Sequence, residues 1–423
     1  MRFLNLSLNK LKIKYSSIKL MNIGIIGGGI GGCLSAIQLS KNSKHHITLF
    51  EKNKDILTGG PWCHLHAGGM LYPMISLNEC KELLNHSLLF AEFFSDCLLK
   101  RPTIIAYNKY EDKYNTVDLL HKCKIIKEEY YKYNTSILGN ADDFYAIYTK
   151  DDILFYKKNK YFINKNKHNI YVSTFCDNLN DINSIKYPFI SINEFGIDME
   201  KVKSKIYGLL HSKTNITLNL NYNINNIIKS NSKWRVNDKY EYDYIINSSG
   251  YKMNQTRPNN IKTQQVFLSN NLSHDFLEMK CSWIIKTKID SDYLFPEIAI
   301  IGERSTSRGM IQISPHINTN IFQVHLMTTE STLFKDNSIF LTDKIIKDRT
   351  NNTINEISKV FPLFKDAEYY SKPLFGIQRI ADKSKDKRAD SVIFYDDCNY
   401  AEIQIVKGIS SVFCSNEISK KLN

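Results

Sequence analysis

The chain has 423 residues, 43% hydrophobic and 23% charged, which suits folded domains and excludes disorder throughout. Its longest apolar runs, such as residues 88–94, fall short of the roughly 20 residues a transmembrane helix needs, so no such segment is expected. A formal charge of +13 admits an anionic partner such as nucleic acid, but the lysines are scattered, as at Lys157, Lys158, Lys160, Lys165 and Lys167, which favours a compositional origin.

Residues 1–20 carry Arg2, Lys10, Lys12, Lys14 and Lys19 without an acid. They read as a basic N-terminal extension or an organelle-import segment. The nine cysteines contain no Cys-x-x-Cys pair, and their odd number suits a reducing compartment. The compartment expected is cytoplasmic, or the mitochondrial matrix if the extension directs import.

Residues 22–26 form a buried-type strand running into Gly27-Gly28-Gly29-Ile30-Gly31-Gly32. This is G-x-G-x-x-G at Gly27, Gly29 and Gly32: a tight turn, a close approach to pyrophosphate, and close helix–strand packing. A helix over 33–41 follows, its N-terminus offering free amides to phosphate. A second strand, 47–50, ends at Glu51, 19 residues after Gly32, where an acid grips a ribose hydroxyl. The pattern specifies a dinucleotide and does not separate NAD from FAD.

Residues 58–73 read T-G-G-P-W-C-H-L-H-A-G-G-M-L-Y-P, and Gly59, Gly60, Gly68 and Gly69 suit backbone pressed against a ligand. Cys63, His64 and His66 could be metal ligands but lack the second half of a site, so no metal is expected. Further on, 216–228 alternates like a strand and a hairpin is expected with Trp234-Arg235-Val236. Residues 242–246 form a buried strand closing on Asn247-Ser248-Ser249-Gly250, a second nucleotide contact. Residues 80–187 and 266–365 are rich in Tyr, Phe and charge. Strands are expected at 295–302, 310–314, 321–326 and 392–395, with Arg304, Arg308, His316 and His325 on or beside them.

From these residues onward the sequence resembles the FAD-dependent oxidoreductases of the D-amino acid oxidase family, glycine and sarcosine oxidases included. The resemblance covers most of 21–423 in patches. Residues 194–210, with Gly196-Ile197-Asp198 opening a helix, look like the family's helix before the adenine-side strand, which sets the Ile224 backbone toward the adenine. Residues 242–250 are similar to its D-x-x-x-x-A-x-G turn, with Asp243 and Gly250 matching and Ser248 replacing alanine. Gly376-Ile377-Gln378-Arg379 resembles the segment whose arginine holds a substrate carboxylate. Lys407-Gly408-Ile409-Ser410-Ser411 sits where the family closes over the flavin, without its usual Gly-His-Gly. Trp62 with His66-Ala67-Gly68 resembles the W-H-A-A-G of dimethylglycine and sarcosine dehydrogenases, whose histidine is joined to FAD. Residues 69–76 are similar to the flavin domain of the bifunctional tRNA wobble-uridine modification enzyme.

The resemblance implies an α/β fold: a Rossmann-like FAD-binding domain (21–90, 191–262 and 373–423) with an inserted antiparallel-sheet substrate domain (91–190 and 263–372). It implies that FAD is held by Gly27, Gly29, Ile30, Gly31, Gly32, Glu51, Lys52, Gly59, Gly60, His66, Ala67, Gly68, Ile224, Ser249, Gly250, Gly408 and Ser410. Arg379, His66 and Lys407 are the candidates for catalysis. The expected reaction oxidises a small amine or amino-acid-like substrate by hydride transfer to the flavin, electrons passing to oxygen or another acceptor. Three alternatives stay open: a flavin domain of the tRNA-modification type, a hydroxy-acid dehydrogenase passing electrons to quinone, and a non-catalytic nucleotide-binding protein.

Overall fold

The computed structural model describes residues 20–423 apart from 43, 61, 68–71, 112, 165, 260, 262–275, 289–293, 303–308, 317–319, 328–332, 336–342, 381–390 and 406. Gly68, Arg304, Arg308 and residues 1–19 therefore lie outside the described residues, as does the side chain of Arg379. Two large sheets organise the chain. The smaller has six strands, in the order Ser391–Tyr395, Tyr400–Gln404, Tyr244–Asn247, Asn22–Ile26 (β1), His46–Phe50 (β2) and Ile216–Asn219. All its pairs are parallel except that between Ser391–Tyr395 and Tyr400–Gln404. Between β1 and β2 runs the helix Ile30–Leu39 (α1), nearly all of it buried, as a right-handed crossover between neighbouring parallel strands requires.

Two expectations are corrected here. The first helix starts at Ile30, not at residue 33, because Gly29 takes the extended conformation of an N-cap and the glycines after it are helical. Residues 216–228 are not one strand: Ile216–Asn219 joins β2, and the hairpin with Lys233–Val236 begins only at Ile227. The strand expected at 392–395 pairs with Tyr400–Gln404 at the edge of the parallel-type sheet.

The second sheet has ten strands and is antiparallel apart from the parallel pairing of Thr103–Asn108 with Glu297–Ile301. At its centre Glu297–Ile301, Met310–Pro315 and Ile321–Met327 lie side by side. Leu374–Ile380 pairs with Phe276–Lys286 in this sheet, with Arg379 opposite Leu277. Alternation along the central strands splits their side chains between two faces. Ile298, Ile300, Ile311, Ile313, Phe322 and Val324 form a separate core on the outer face, whereas Ala299, Ile301, Met310 and Met327 join the core that also holds β1, α1 and β2. That shared core fixes the ten-stranded sheet against the parallel one. Among the described residues no helix is long and apolar enough to cross a membrane.

Candidate functional site

The glycine turn opens at the carboxyl end of β1, the end at which open parallel sheets bind ligands. Gly27 has φ of +106°, and a Cβ there would stand 2.4 Å from the carbonyl oxygen of Ser248, so only glycine fits. A Cβ on Gly32 would meet the Gly27 carbonyl oxygen at 2.1 Å, and one on Gly31 would meet Ile405 Cδ1 at 2.6 Å. These two glycines let α1 lie against β1 and the Tyr400–Gln404 strand. Gly29 differs: a Cβ there meets nothing within 4 Å. Its backbone, at the N-cap of α1, is open to a ligand, and the helix has no acid in its first turn to compete with phosphate.

Glu51 braces the turn. Its Oε2 accepts the Gly28 N–H at 2.7 Å and its Oε1 the Asn53 N–H at 2.8 Å. Each oxygen keeps a second lone pair for a ribose hydroxyl. Cys33 Sγ donates to the Gly28 carbonyl at 3.3 Å, and burial, reinforced by the charge of Glu51, pushes this thiol well above its usual range so that it stays a donor.

Two cavities meet at Glu51. One, of about 550 Å³, is lined by Gly27–Ile30, Glu51–Asn53, 57–60, Met199 and 248–250. The other, of about 300 Å³, is lined by Phe50, Glu51, Lys52, Tyr222, Asn223, Ile224, Asn225, Ser249 and Thr256 among others. Gly27, Glu51, Lys52 and Ser249 border both. The first cavity offers backbone amides and glycine surface, the second an aromatic and amide-lined slot. That pairing fits the pyrophosphate and the adenosine of a dinucleotide, and so fits FAD. Lys52, Gly59, Gly60, Ile224, Ser249 and Gly250 thus line these two adjoining cavities. Tyr222, Asn223, Asn225 and Thr256 were missed in the sequence, where an Asn-rich run carries no motif.

The Gly59–Gly60 loop carries this space to the ten-stranded sheet, since a Cβ on Gly60 would lie 3.2 Å from Gln323 Oε1. By alternation Glu297, Gln312, Ser314, Gln323 and His325 share this face, all but His325 buried. Gln323 and His325 meet through their Nε2 atoms at 3.0 Å. Ser314 Oγ is 2.9 Å from His64 Nε2, which also faces Glu297 Oε2 at 3.3 Å. Arg101 clamps the other oxygen of Glu297 through Nε at 2.8 Å and Nη2 at 2.6 Å. His64 and His66 turn to different carboxylates. His66 holds φ of +51°, unusual for a non-glycine, and its Nδ1 lies 3.4 Å from Oε1 of the fully buried Glu194. Ala67 beside it accepts a 2.7 Å bond from the Tyr72 hydroxyl.

At the C-terminal end, Lys407 is buried, at 4% exposure. Gly408 has open space where a Cβ would stand. Ser410 Oγ is bonded to His86 Nδ1 at 2.9 Å, and His86 stacks on Phe413. Burial alone pushes the His86 imidazole down to about 4, so it is neutral in the folded protein. Asp243 accepts the Asn22 N–H at 2.8 Å and so holds the start of β1.

A family model described as an NAD(P)-binding Rossmann-like domain matches residues 25–67. No curated protein matches the chain in sequence. Three solved structures share its fold over nearly their whole length. A glycine oxidase from Geobacillus kaustophilus has TM-score 0.58 and 12% identity, over 95% of this chain and 92% of that one. An L-proline dehydrogenase from P. horikoshii has TM-score 0.61 and 11% identity, over 95% and 93%. An L-α-glycerophosphate oxidase from Mycoplasma pneumoniae, solved with FAD bound, has TM-score 0.59 and 13% identity, over 96% and 94%. At these identities the likeness establishes the fold: a Rossmann-like nucleotide-binding unit joined to an antiparallel-rich sheet.

Proposed function

We propose that the chain is an FAD-dependent oxidoreductase acting on a small amine or amino-acid-like substrate. The observation that carries this reading is the pair of cavities joined at Glu51, set in a fold shared end to end with oxidases and dehydrogenases of such substrates. Bound FAD would supply the two-electron acceptor for a hydride leaving a carbon beside nitrogen or oxygen.

The protein's own residues bind, orient and exclude water. The amides at Gly29 and the first turn of α1 receive the pyrophosphate, and Glu51 receives the ribose. The slot of Tyr222 and Ile224 takes the adenine. The polar face of the ten-stranded sheet, with Gln312, Gln323 and His325, covers the substrate. Arg379, on the Leu374–Ile380 strand of that sheet, binds a carboxylate if the substrate carries one. Buried Lys407 supplies a positive charge at the acceptor end, and His66 contacts the flavin.

The first experiment is an absorption spectrum of purified protein before and after acid precipitation. Flavin bands in the supernatant mean a non-covalent cofactor, and colour held in the pellet means attachment, for which His66→Ala tests the anchor. No flavin in either fraction after adding FAD overturns the proposal. Anaerobic mixing with panels of amines, amino acids and hydroxy acids then reads bleaching of the flavin. Bleaching by hydroxy acids alone would move the reaction to CH–OH. In Arg379→Met, a raised KM for carboxylate substrates with little change in kcat supports the assigned role.

A further inference from the structure

The Tyr400–Gln404 strand ends on a side chain the site described so far leaves unused. Ala401 and Ile403 turn toward the core around α1. Tyr400, Glu402 and Gln404 share the opposite face by alternation. The first two are satisfied. The Tyr400 hydroxyl accepts from Asn247 Nδ2 at 2.9 Å and donates to Glu402 Oε1 at 3.2 Å. Burial, with the charge of Glu402 next, holds Tyr400 protonated for that donation. Glu402 takes a two-point contact from Arg257, at 2.6 Å and 2.7 Å.

Gln404 breaks the pattern. It is 8% exposed, yet neither its Oε1 nor its Nε2 has a hydrogen-bond partner among the described residues. A buried primary amide left unbonded opposes folding, and native structures keep such groups when something else satisfies them.

Sheet order gives its place. Asn247 pairs with Glu402, so Gln404 stands beyond the end of the Tyr244–Asn247 strand, level with the 248–250 turn that lines the larger cavity. The next residue, Ile405, packs at Gly31 in the first turn of α1. The adenosine slot lies toward the β2 edge, where Phe50, Glu51 and Tyr222 line it. Gln404 lies the other way, two strands from β1, about 10 Å at ordinary strand spacing. A dinucleotide laid across the carboxyl ends of the strands, with its pyrophosphate at Gly29, runs its second ring system toward that side.

We propose that Gln404 binds the imide edge of the flavin pyrimidine ring, its carbonyl accepting from the ring N–H and its amide donating to the adjacent ring carbonyl. A carboxamide presents one acceptor beside one donor, which is the complement of an imide edge. This assignment rests on the FAD reading above and adds a contact that the chain makes in place of the absent Gly-His-Gly.

The test is FAD titration of apoprotein by flavin fluorescence, using FAD and N3-methyl-FAD, in the wild type, Gln404→Leu and Gln404→Met. Loss of two neutral hydrogen bonds predicts about 10-fold weaker FAD binding in either variant. N3-methylation should weaken the wild type by a similar factor and leave the variants unchanged. The apoprotein melting temperature should hold or rise in both variants, because an unsatisfied amide is removed; a glutamine with a structural role would lower it. Wild-type FAD affinity in both variants, equal discrimination against N3-methyl-FAD in all three proteins, or destabilised apoproteins would overturn the assignment. A wild type that binds no FAD overturns the cofactor reading, and this contact with it.

Discussion

Gly29 and Gly32 belong to one motif, but the structure gives them opposite jobs, and substituting each by alanine separates them. In Gly29→Ala the new methyl meets no atom within 4 Å and the backbone is already extended, at φ −70° and ψ 174°. Loss of unfolded-chain freedom favours the variant by about 0.4–1 kcal/mol, and the poorer N-cap opposes it by a similar amount. The apoprotein should therefore melt almost as the wild type does. The methyl instead stands where a phosphate approaches the backbone. Loss of one hydrogen bond to a charged group, about 1.5–3 kcal/mol, loosens FAD by about 10- to 150-fold. In Gly32→Ala the methyl would stand 2.1 Å from the Gly27 carbonyl oxygen. Helix and strand must separate, a cost of about 1–3 kcal/mol or more, visible in the apoprotein without any ligand. Denaturant unfolding of the apoproteins and FAD titration read both effects. The reasoning is refuted if Gly29→Ala binds FAD like the wild type, or if it loses as much stability as Gly32→Ala.

Glu297→Ala strands the buried Arg101 guanidinium and should cost about 3–5 kcal/mol in denaturant unfolding, whereas Arg101→Met combined with Glu297→Leu should recover most of that loss. Glu51→Gln puts an amide where a carboxylate oxygen now meets a backbone N–H, so apoprotein stability should fall by about 1–3 kcal/mol and FAD affinity should fall with it. His86 is held neutral, its pKa at about 4 in the folded chain against about 6.5 unfolded. The unfolded chain thus takes up a proton first, and stability present above pH about 6.5 declines as pH falls toward about 4, by of order 3 kcal/mol. His86→Asn should flatten that decline in pH-dependent unfolding; an unchanged slope would remove His86 as its source.

The nucleotide end was legible because its constraints are local. A strand, a glycine turn, a helix and a terminal acid occupy some thirty consecutive residues, and Gly32 answers to Gly27 within the motif, although Gly27 and Gly31 answer to Ser248 and Ile405 far outside it. The helix start was displaced because Gly31 and Gly32 are poor helix formers by propensity, while packing against Ile405 and Gly27 overrides that preference. The loop of the two histidines was legible as a candidate flavin contact, but the partners of those histidines were not. His64 meets Ser314, 250 positions on, and Arg101 meets Glu297, 196 positions on; no periodicity or spacing encodes such pairs. The same holds for Gln404, an ordinary polar residue in sequence whose isolation appears only when its neighbours are seen to be satisfied. Residues 392–395 alternate equally well for either sheet, and only the partner strand decides.

The order of the parallel sheet also bears on how the chain is made. β1 emerges early but borders Tyr244–Asn247, and the Asn22 N–H finds its acceptor 221 positions later. Until that stretch has been synthesised, one side of β1 shows bare amides and carbonyls beside apolar Ile23 and Ile25. Such an edge invites pairing with other nascent chains, and closing so long a loop is slow. Expression at low temperature or with holdase chaperones should therefore raise the soluble yield more than any surface substitution, and truncations ending before Tyr244 should aggregate rather than fold.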